Sequence, residues 1–228
     1  MKIAILVAMD KELSLLLHQI ENPHTGKIGD KEVTIGKIGK HDVLVAKCGI
    51  GKVNAAINTL DIIRDYHPEL IINSGVAGGA GHSMQVGQLL VADRAAYHDV
   101  WCGPGTTIGT ADGFPLYFEA YKPIVEYARG KKDDSNTRVG LICSGDRFIS
   151  TPDEVAVINA NFPDVKAVDM ESAAIAHVCQ RENIPFSIIR VVSDTPGEGE
   201  NLSQYQDFWS RAPQTTFAAL RAILDIID

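Results

Sequence analysis

The 228-residue chain has few cysteines, and none of them is close to another. Cys48, Cys102, Cys143 and Cys179 form no Cys-x-x-Cys pair and have no histidine at the spacing of a zinc site. This pattern excludes a disulfide framework of the kind found in small secreted proteins. We therefore expect reduced, mostly buried thiols and no metal site.

Basic clusters and long apolar segments are also missing. The formal net charge is −8, and the densest basic stretches, Lys37 to Lys40 and Lys131-Lys132, are too short for a nucleic-acid-binding surface. The apolar run between Met1 and Met9 is too short for a membrane span and lacks the cleavage site of a signal peptide. We expect a cytoplasmic protein that binds neither nucleic acid nor membrane.

The composition that remains is that of a folded domain. Hydrophobic residues make up 45% of the chain and charged residues 22%, and no repeat, low-complexity tract or linker interrupts it. This length fits one α/β domain. We therefore expect residues 1–228 to form a single domain.

Buried-strand patterns alternate with helical patterns along the chain, which predicts a largely parallel sheet with helices on both faces. The predicted strands are Ile3–Val7, Glu32–Ile38, His41–Lys47, Leu70–Ile72, Val86–Asp93, Arg138–Cys143, a strand ending at Ala167-Val168, and Phe186–Val192. The predicted helices are Asp10–Ile20, Lys52–Tyr66, Leu116–Arg129, Ala156–Ala160, Ser172–Glu182 and Gln214–Ile227.

Polar or flexible residues follow four of the predicted strands. They are Glu12, the glycine-rich stretch Gly75–Gly81, Met170-Glu171 and Ser193-Asp194. Ligands of such sheets bind beyond the carboxyl ends of the strands, so these groups are expected to line one cleft. The glycines match neither Gly-x-Gly-x-x-Gly nor a P-loop, which disfavours a nucleoside triphosphate site. Taken singly, each feature also fits a helix-dipole, turn or capping role.

Seven ordered segments together resemble one family over nearly the whole chain, the bacterial 5′-methylthioadenosine/S-adenosylhomocysteine nucleosidases of the purine nucleoside phosphorylase superfamily. The segments are Ala8–Glu12, Gly49–Val53, Asn73–Gly79, Tyr97–Asp99, Ser144–Phe148, Val168–Ala174 and Arg190–Asp194. The resemblance implies a central mixed sheet flanked by helices, and a homodimer whose partner completes the pocket. It also implies cleavage of 5′-thio-substituted adenosines to adenine and a 5-thioribose, without metal or cofactor.

Cleavage of a ribosyl C–N bond needs an acid for the leaving purine and a positioned water for the sugar carbon. The resemblance implies that Asp194 protonates adenine N7 and that Ser193 orients it. It assigns the water to Glu12, with Arg190 close by. Because an exposed aspartate is a poor acid near neutrality, we expect Asp194 to lie in a dry pocket.

The resemblance also implies the residues that bind the substrate. Glu171 would hold the ribose hydroxyls and favour a transition state of oxocarbenium character, while Met170 packs on the sugar. Phe148 would stack on the purine, and the backbone of Ile149 would read its edge. The remaining contacts are backbone groups of Ala77 and Gly78 and an apolar wall formed by Met9, Ile50 and Tyr205.

The chain departs from the family pattern at three places. Val76 stands where some relatives have serine, so any contact of that hydroxyl is absent. The stretch from Thr195 to Glu200 is about one residue longer than usual, which weakens the transfer to Tyr205. The loop from Trp101 to Pro115 is atypical as well, so the preferred 5′ substituent, which could include that of 5′-deoxyadenosine, stays open.

Three other functions share some of these features. A nucleoside phosphorylase of the same fold has the Ser-Asp element, but it needs cations for phosphate where this chain has Asn73–Val76. A hydrolase of aminofutalosine would act on the same adenine-ribose core. A non-catalytic nucleoside-binding protein would have little need for Glu12, Glu171 and Asp194 together.

Overall fold

A computed structural model describes residues 1–80, 84–131, 134, 136–196, 201–211 and 213–227. Gly81, Lys132 and residues 197–200, to which the sequence analysis refers, lie outside this part. The strands are β1 (Lys2–Val7), β2 (Glu21–Ile28), β3 (Lys31–Ile38), β4 (His41–Lys47), β5 (Leu70–Gly79), β6 (Leu89–Tyr97), β7 (Phe118–Glu119), β8 (Thr137–Ser144), β9 (Val165–Asp169) and β10 (Phe186–Asp194). The helices are α1 (Asp10–Leu17), α2 (Lys52–Tyr66), α3 (Lys122–Gly130), α4 (Pro152–Asn161), α5 (Ser172–Glu182), α6 (Asn201–Arg211) and α7 (Pro213–Leu224).

The strands form one mixed sheet that closes on itself. Its order is β10-β6-β8-β9-β5-β1-β4-β3-β2, β7 pairs with β6, and β10 also pairs with β5. Strands β5, β10, β6, β8 and β9 therefore form a ring, from which β1 to β4 extend. Closure requires antiparallel junctions at β10–β6 and β5–β9. Among the described pairings five are parallel and five antiparallel, so the expectation of a mostly parallel sheet is wrong.

Helices cover both faces of the sheet, as the alternation predicts. On one face, buried residues of α2 and α5 pack on β1, β4 and β5 in the largest apolar cluster. On the other face, buried residues of α1, α3, α6 and α7 form a second cluster around Ile3, Ile5 and Ile72. Strand β10, all of whose residues are buried, contributes to both clusters, which is why its sequence has no polar alternation.

Several element boundaries differ from the predictions. Strand β5 continues through its glycines to Gly79, because β10 and β9 pair with that stretch. Strand β6 lies at Leu89–Tyr97 rather than Val86–Asp93. The predicted helix Leu116–Arg129 begins only at Lys122, since Pro123 occupies the first helical turn and Phe118–Glu119 pairs as β7. Strand β2 and helix α6 were not predicted.

The described cysteines carry free thiols, three buried and Cys102 exposed, as expected. None of the described helices combines the length and apolarity that crossing a membrane requires.

Candidate active site

Glu12 is a buried carboxylate at the first turn of α1, directly after β1. Its Oε2 accepts hydrogen bonds from the backbone N–H groups of Ala8 at 2.8 Å and Met9 at 2.9 Å, and its Oε1 accepts one from Val76 at 3.1 Å. Burial raises the pKa of Glu12, while Arg190 and the three amides act in the opposite direction. The carboxylate is therefore fixed in position and made more basic than an exposed glutamate.

Gly75 allows Glu12 and Arg190 to approach each other. A Cβ atom at this position would clash with the Glu12 carboxylate and lie 3.4 Å from Nη1 of Arg190. Glycine is therefore needed here because two side chains lie close to the β5 backbone, and not because the chain turns.

A buried hydrogen-bond network holds the guanidinium group of Arg190. Its Nε and Nη2 donate to Oδ2 of Asp169 at 3.1 and 3.0 Å, and Nη2 also donates to Ser172 Oγ at 3.0 Å and to Asn73 Oδ1. The other Asp169 oxygen accepts from Ser144 Oγ at 2.5 Å. Asp169 ends β9 and Arg190 lies within β10, so the network joins two strands of the ring.

Glu171 is a second buried carboxylate, close enough to Glu12 and Arg190 to interact with their charges. Its Oε1 accepts a hydrogen bond at 3.0 Å from the N–H of Gly51, which precedes α2 and has a φ of 91° that favours glycine. Burial is the main cause that raises the pKa of Glu171 to about 7, and the neighbouring Asp169 adds to it. The Gly51 amide and Arg190 partly offset this rise.

Asp194 ends β10 and is 2% exposed, so its expected burial is confirmed. The Ser193 hydroxyl donates to Asp194 Oδ1 at 2.6 Å and lies 3.3 Å from the carbonyl oxygen of Ala77. The Ser193 hydroxyl therefore fixes one carboxyl oxygen of Asp194. The other, Oδ2, faces Gly78, where an added Cβ would lie 3.5 Å from it.

A small cleft that opens to solvent lies beside Asp194. Its walls include five of the predicted site residues, and four further residues complete them. They are Gly78, Phe148, Ile149, Met170 and Asp194, with Arg147, Val168, Asp169 and Pro196. An apolar cleft with a carboxyl group at one wall fits a flat heteroaromatic ring that has a basic nitrogen at its edge.

Helix α6 brings Tyr205 to the mouth of this cleft. Its hydroxyl donates to Sδ of Met9 at 3.4 Å, and its ring lies 6.0 Å from that of Phe148 in an edge-to-face arrangement. The predicted apolar wall is thus partly assembled. Ile50 is half-exposed and adjoins Gly51, so it lies on the outer rim.

Lys52, Asp99 and Asp146, which we call the α2 clamp, lie within the motif segments, but the sequence analysis gave them no role in the site. Lys52 Nζ lies 2.7 Å from Asp99 Oδ1, and its backbone N–H donates to Asp146 Oδ1 at 2.7 Å. Asp99 Oδ2 accepts from the Asp146 N–H at 2.8 Å. The clamp ties the start of α2, beside Glu171, to the loop that carries Phe148.

The other residues that the sequence analysis missed are the partners of Arg190. Asn73, Asp169 and Ser172 lie within the motif segments, and the polarity of Asn73 and Asp169 at strand ends was the available signal. Among the described residues, no group of three or more histidine, cysteine, aspartate or glutamate side chains could hold a metal ion.

Known proteins are similar to this chain over nearly its whole length. Residues 2–225 match the phosphorylase superfamily. A 5′-methylthioadenosine/S-adenosylhomocysteine nucleosidase of Bacillus cytotoxicus is 39% identical over 207 residues, which cover 89% of this chain and 90% of the relative.

Solved structures agree with the sequence match. The S-adenosylhomocysteine nucleosidase of Streptococcus pyogenes, in complex with 5-methylthiotubericidin, superposes with a TM-score of 0.94 at 32% identity and covers 100% of this chain and 98% of its own. The S. pneumoniae 5′-methylthioadenosine/S-adenosylhomocysteine nucleosidase with a transition-state inhibitor has a TM-score of 0.94 at 33% identity and full coverage of both chains. This chain therefore belongs to the phosphorylase superfamily and, within it, to the family of 5′-methylthioadenosine/S-adenosylhomocysteine nucleosidases.

Proposed function

We propose that the chain hydrolyses the N-glycosidic bond of 5′-methylthioadenosine and S-adenosylhomocysteine, releasing adenine and the 5-thioribose product. The observation that carries the proposal is the presence of two buried carboxyl groups with different partners. Glu12 adjoins Arg190 at Gly75, whereas Asp194 is held by Ser193 at the wall of the cleft. Relatives that share the fold are named for this activity.

On the purine side, Asp194 supplies the proton. As the C1′–N9 bond breaks, its electron pair moves into the purine, and Asp194 donates a proton to N7 so that adenine leaves uncharged. Phe148 packs against the ring, the backbone of Ile149 meets its edge, and the backbone at Ala77 and Gly78 lies close because Gly78 has no side chain. After hydrolysis, Asp194 is ionised because it has given its proton to adenine. Glu12 is protonated because it has taken a proton from the attacking water.

On the sugar side, Glu12 takes the proton from a water molecule whose oxygen bonds to C1′. Its raised pKa makes it a better base, and Arg190 Nη1 lies near enough to orient that water. Glu171 binds the ribose hydroxyls, and its charge favours the positive sugar of the transition state. Met170 packs on the ribose, and Met9, Ile50 and Tyr205 enclose the 5′ substituent.

Charge in the cleft favours water over phosphate as the nucleophile. In the part of the chain that the structure describes, Arg190 is the only buried lysine or arginine, and Asp169 already pairs with it. Glu12 and Glu171 are also buried, and both lie close enough to Arg190 to interact with its charge. A phosphate dianion would meet an excess of negative charge here, whereas a neutral water would not.

The deciding experiment follows adenine release from 5′-methylthioadenosine by chromatography, in phosphate-free buffer and again with added phosphate. Adenine and free methylthioribose in both buffers support hydrolysis. Release only with phosphate, yielding a sugar phosphate, would make the protein a phosphorylase and remove the role of Glu12. No release in either buffer would contradict the proposal and turn attention to aminofutalosine or to nucleoside binding.

We further propose that residues 1–228 act as one domain within a cytoplasmic homodimer that requires no cofactor. The free thiols suit a reducing compartment. Ile50, Val53 and Ile57 form an exposed apolar strip along the start of α2, beside the cleft. Such a strip is typical of a surface that a second copy covers, and at this place the partner would complete the 5′ pocket.

A further inference from the structure

The side chain of Gln204 in helix α6 bonds to Thr195, the residue that follows β10. Oε1 of Gln204 accepts two hydrogen bonds from Thr195, one from its backbone N–H at 2.9 Å and one from its hydroxyl at 3.0 Å. Thr195 is 4% exposed and directly follows Asp194. Without Gln204, the Thr195 N–H would be a buried donor without this partner, which is costly in a folded protein.

The segment that Gln204 holds contains the proposed acid. Asp194 and Pro196, on either side of Thr195, both line the cleft, and Pro196 packs over Gly78. The Ser193 hydroxyl fixes Asp194 from the residue before it, and Gln204 fixes the backbone from the residue after it. The direction of the Asp194 carboxyl group therefore depends on a restraint on each side.

The opposite end of this connection is anchored in the core. Phe208, one turn after Gln204, is 5% exposed and belongs to the apolar cluster formed with α1 and α7. Tyr205, the residue after Gln204, contacts Met9 and Phe148. Gln204 thus connects a buried helix face to the acid, while its neighbour forms the wall of the proposed 5′ pocket.

We infer that Gln204 is a positioning residue for the reaction, which acts on Asp194 through its two hydrogen bonds to Thr195. The inference rests on the proposed function and extends it to a residue outside the motif segments. Its effect falls on the chemical step, because Gln204 orients the acid and lines no part of the purine cleft. Binding of substrate depends on Tyr205, Met9 and Phe148, whose contacts do not involve the Gln204 amide.

The test compares three substitutions by steady-state hydrolysis of 5′-methylthioadenosine. Gln204→Met keeps the length of the side chain and removes the acceptor, so kcat is expected to fall about tenfold while KM changes little. Gln204→Glu keeps an oxygen that can accept both hydrogen bonds and is expected to restore most of the lost kcat. Thr195→Val removes only the hydroxyl donor, and its loss is expected to be smaller than that of Gln204→Met.

Gln206→Met is the matched control, since Gln206 is an exposed glutamine two residues along the same helix. It should retain wild-type kcat and KM, and thermal unfolding should show that each variant is folded. A wild-type kcat in Gln204→Met, a loss confined to KM, or no recovery in Gln204→Glu would overturn the inference. If Gln204→Met does not fold, an unchanged kcat in Thr195→Val would overturn it instead. Failure of the wild type itself to release adenine would contradict the proposed function, and the inference with it.

Discussion

At position 194, an asparagine would keep the shape of the aspartate and remove only its ability to supply a proton. The amide oxygen could still accept the hydrogen bond from Ser193, which is 2.6 Å long in the wild type. We therefore expect Asp194→Asn to bind substrate with nearly unchanged affinity and to lose about 10²- to 10⁴-fold in kcat, the range of general acid catalysis. Single-turnover release of adenine, together with binding of an adenine nucleoside analogue by calorimetry, measures the two effects separately.

Asp225→Asn provides the control for this substitution, because Asp225 is exposed and lies after α7. It should behave as the wild type in both measurements. A kcat of Asp194→Asn within about threefold of wild type, less than 1 kcal/mol of barrier, would remove Asp194 from the proton transfer. A loss of binding equal to the loss of kcat would assign Asp194 to substrate affinity instead.

The charge of Glu171 links the stability of the protein to pH. Burial raises the pKa of Glu171 to about 7 in the folded state, from an ordinary value for glutamate of 4.5, so between these values the folded state holds a proton that the unfolded state has released. Stability should therefore fall as pH rises from about 4.5 to about 7 and change no further above that range on account of this group. The magnitude is on the order of 1–3 kcal/mol, since one pKa unit corresponds to about 1.4 kcal/mol.

Glu171→Gln isolates this contribution, because a glutamine oxygen can still accept the hydrogen bond from Gly51. Denaturant unfolding of both proteins at pH 5 and pH 8 should show a smaller decrease for the variant. Glu12, whose pKa is also raised, contributes in the same direction to both proteins. Equal decreases in the two proteins would show that Glu171 ionises as easily in the folded chain as in the unfolded one.

The proposed catalytic residues were predictable from the sequence because they stand in short ordered motifs at strand ends. The structure brings Glu12 and Arg190 together at Gly75, and it holds Ser193 against Asp194, whose carboxyl group lines the cleft. The positioning residues were not predictable in this way. Gln204 lies in a polar segment, nine residues after its partner Thr195. No sequence pattern links the two positions, so only the fold shows that they meet.

Helices and strands were predicted correctly where one buried face gives the sequence a hydrophobic period. They were missed where only pairing with a neighbouring strand defines the element. Strand β2 contains Pro23 and Gly26 and is mostly exposed, so it shows no alternation, and its pairing with β3 alone defines it. Helix α6 has apolar residues at Leu202, Tyr205 and Phe208, a spacing that could have indicated a helix. Pro123 could likewise have marked the start of α3.

Helix α2 is the element whose position the clamp controls. The Lys52–Asp99 ion pair, 2.7 Å long and partly buried, holds the start of α2 against the loop of Phe148. We expect Lys52→Met to raise KM about three- to tenfold. Without this ion pair, the start of α2, beside Glu171, is no longer held against the loop that carries Phe148. The free energy of unfolding should decrease by about 1 kcal/mol, since the pair is less screened than a surface pair.

Steady-state kinetics and denaturant unfolding check this prediction, with Lys37→Met as the control. Lys37 pairs with Asp42 at 3.4 Å, and more than half of each side chain is exposed, so its loss should change neither KM nor stability measurably. If the two variants have the same KM, the clamp does not position the loop.

At the scale of the whole molecule, ring closure is the feature that the sequence could not predict. It depends on pairing of β10 with both β5 and β6, and of β9 with β5, between segments far apart in the chain. Periodicity identifies strands but not their neighbours. Closure also brings Asp169 of β9 to Arg190 of β10, so the same pairings that define the ring assemble the site.

If the protein is a homodimer, the exposed apolar strip of Ile50, Val53 and Ile57 at the start of α2 is its expected interface. Val53 is 67% exposed and Ile57 54%, and they lie one turn apart on the face away from the core. If a second copy covers this strip, Val53→Lys places a charge in an apolar contact, and the dimer Kd should rise about tenfold or more. Sedimentation velocity over a micromolar concentration series measures the shift, and hydrolysis should decrease in parallel because the 5′ pocket loses its partner.

Val157→Lys is the matched control, since Val157 is an equally exposed valine, at 62%, on helix α4. It should leave both the dimer and the activity as they are in the wild type. A wild-type protein that sediments as a monomer would contradict the dimer itself. A Val53→Lys dimer of unchanged affinity would instead place the interface on another surface, and full activity in a monomeric Val53→Lys variant would show that one copy forms the whole pocket.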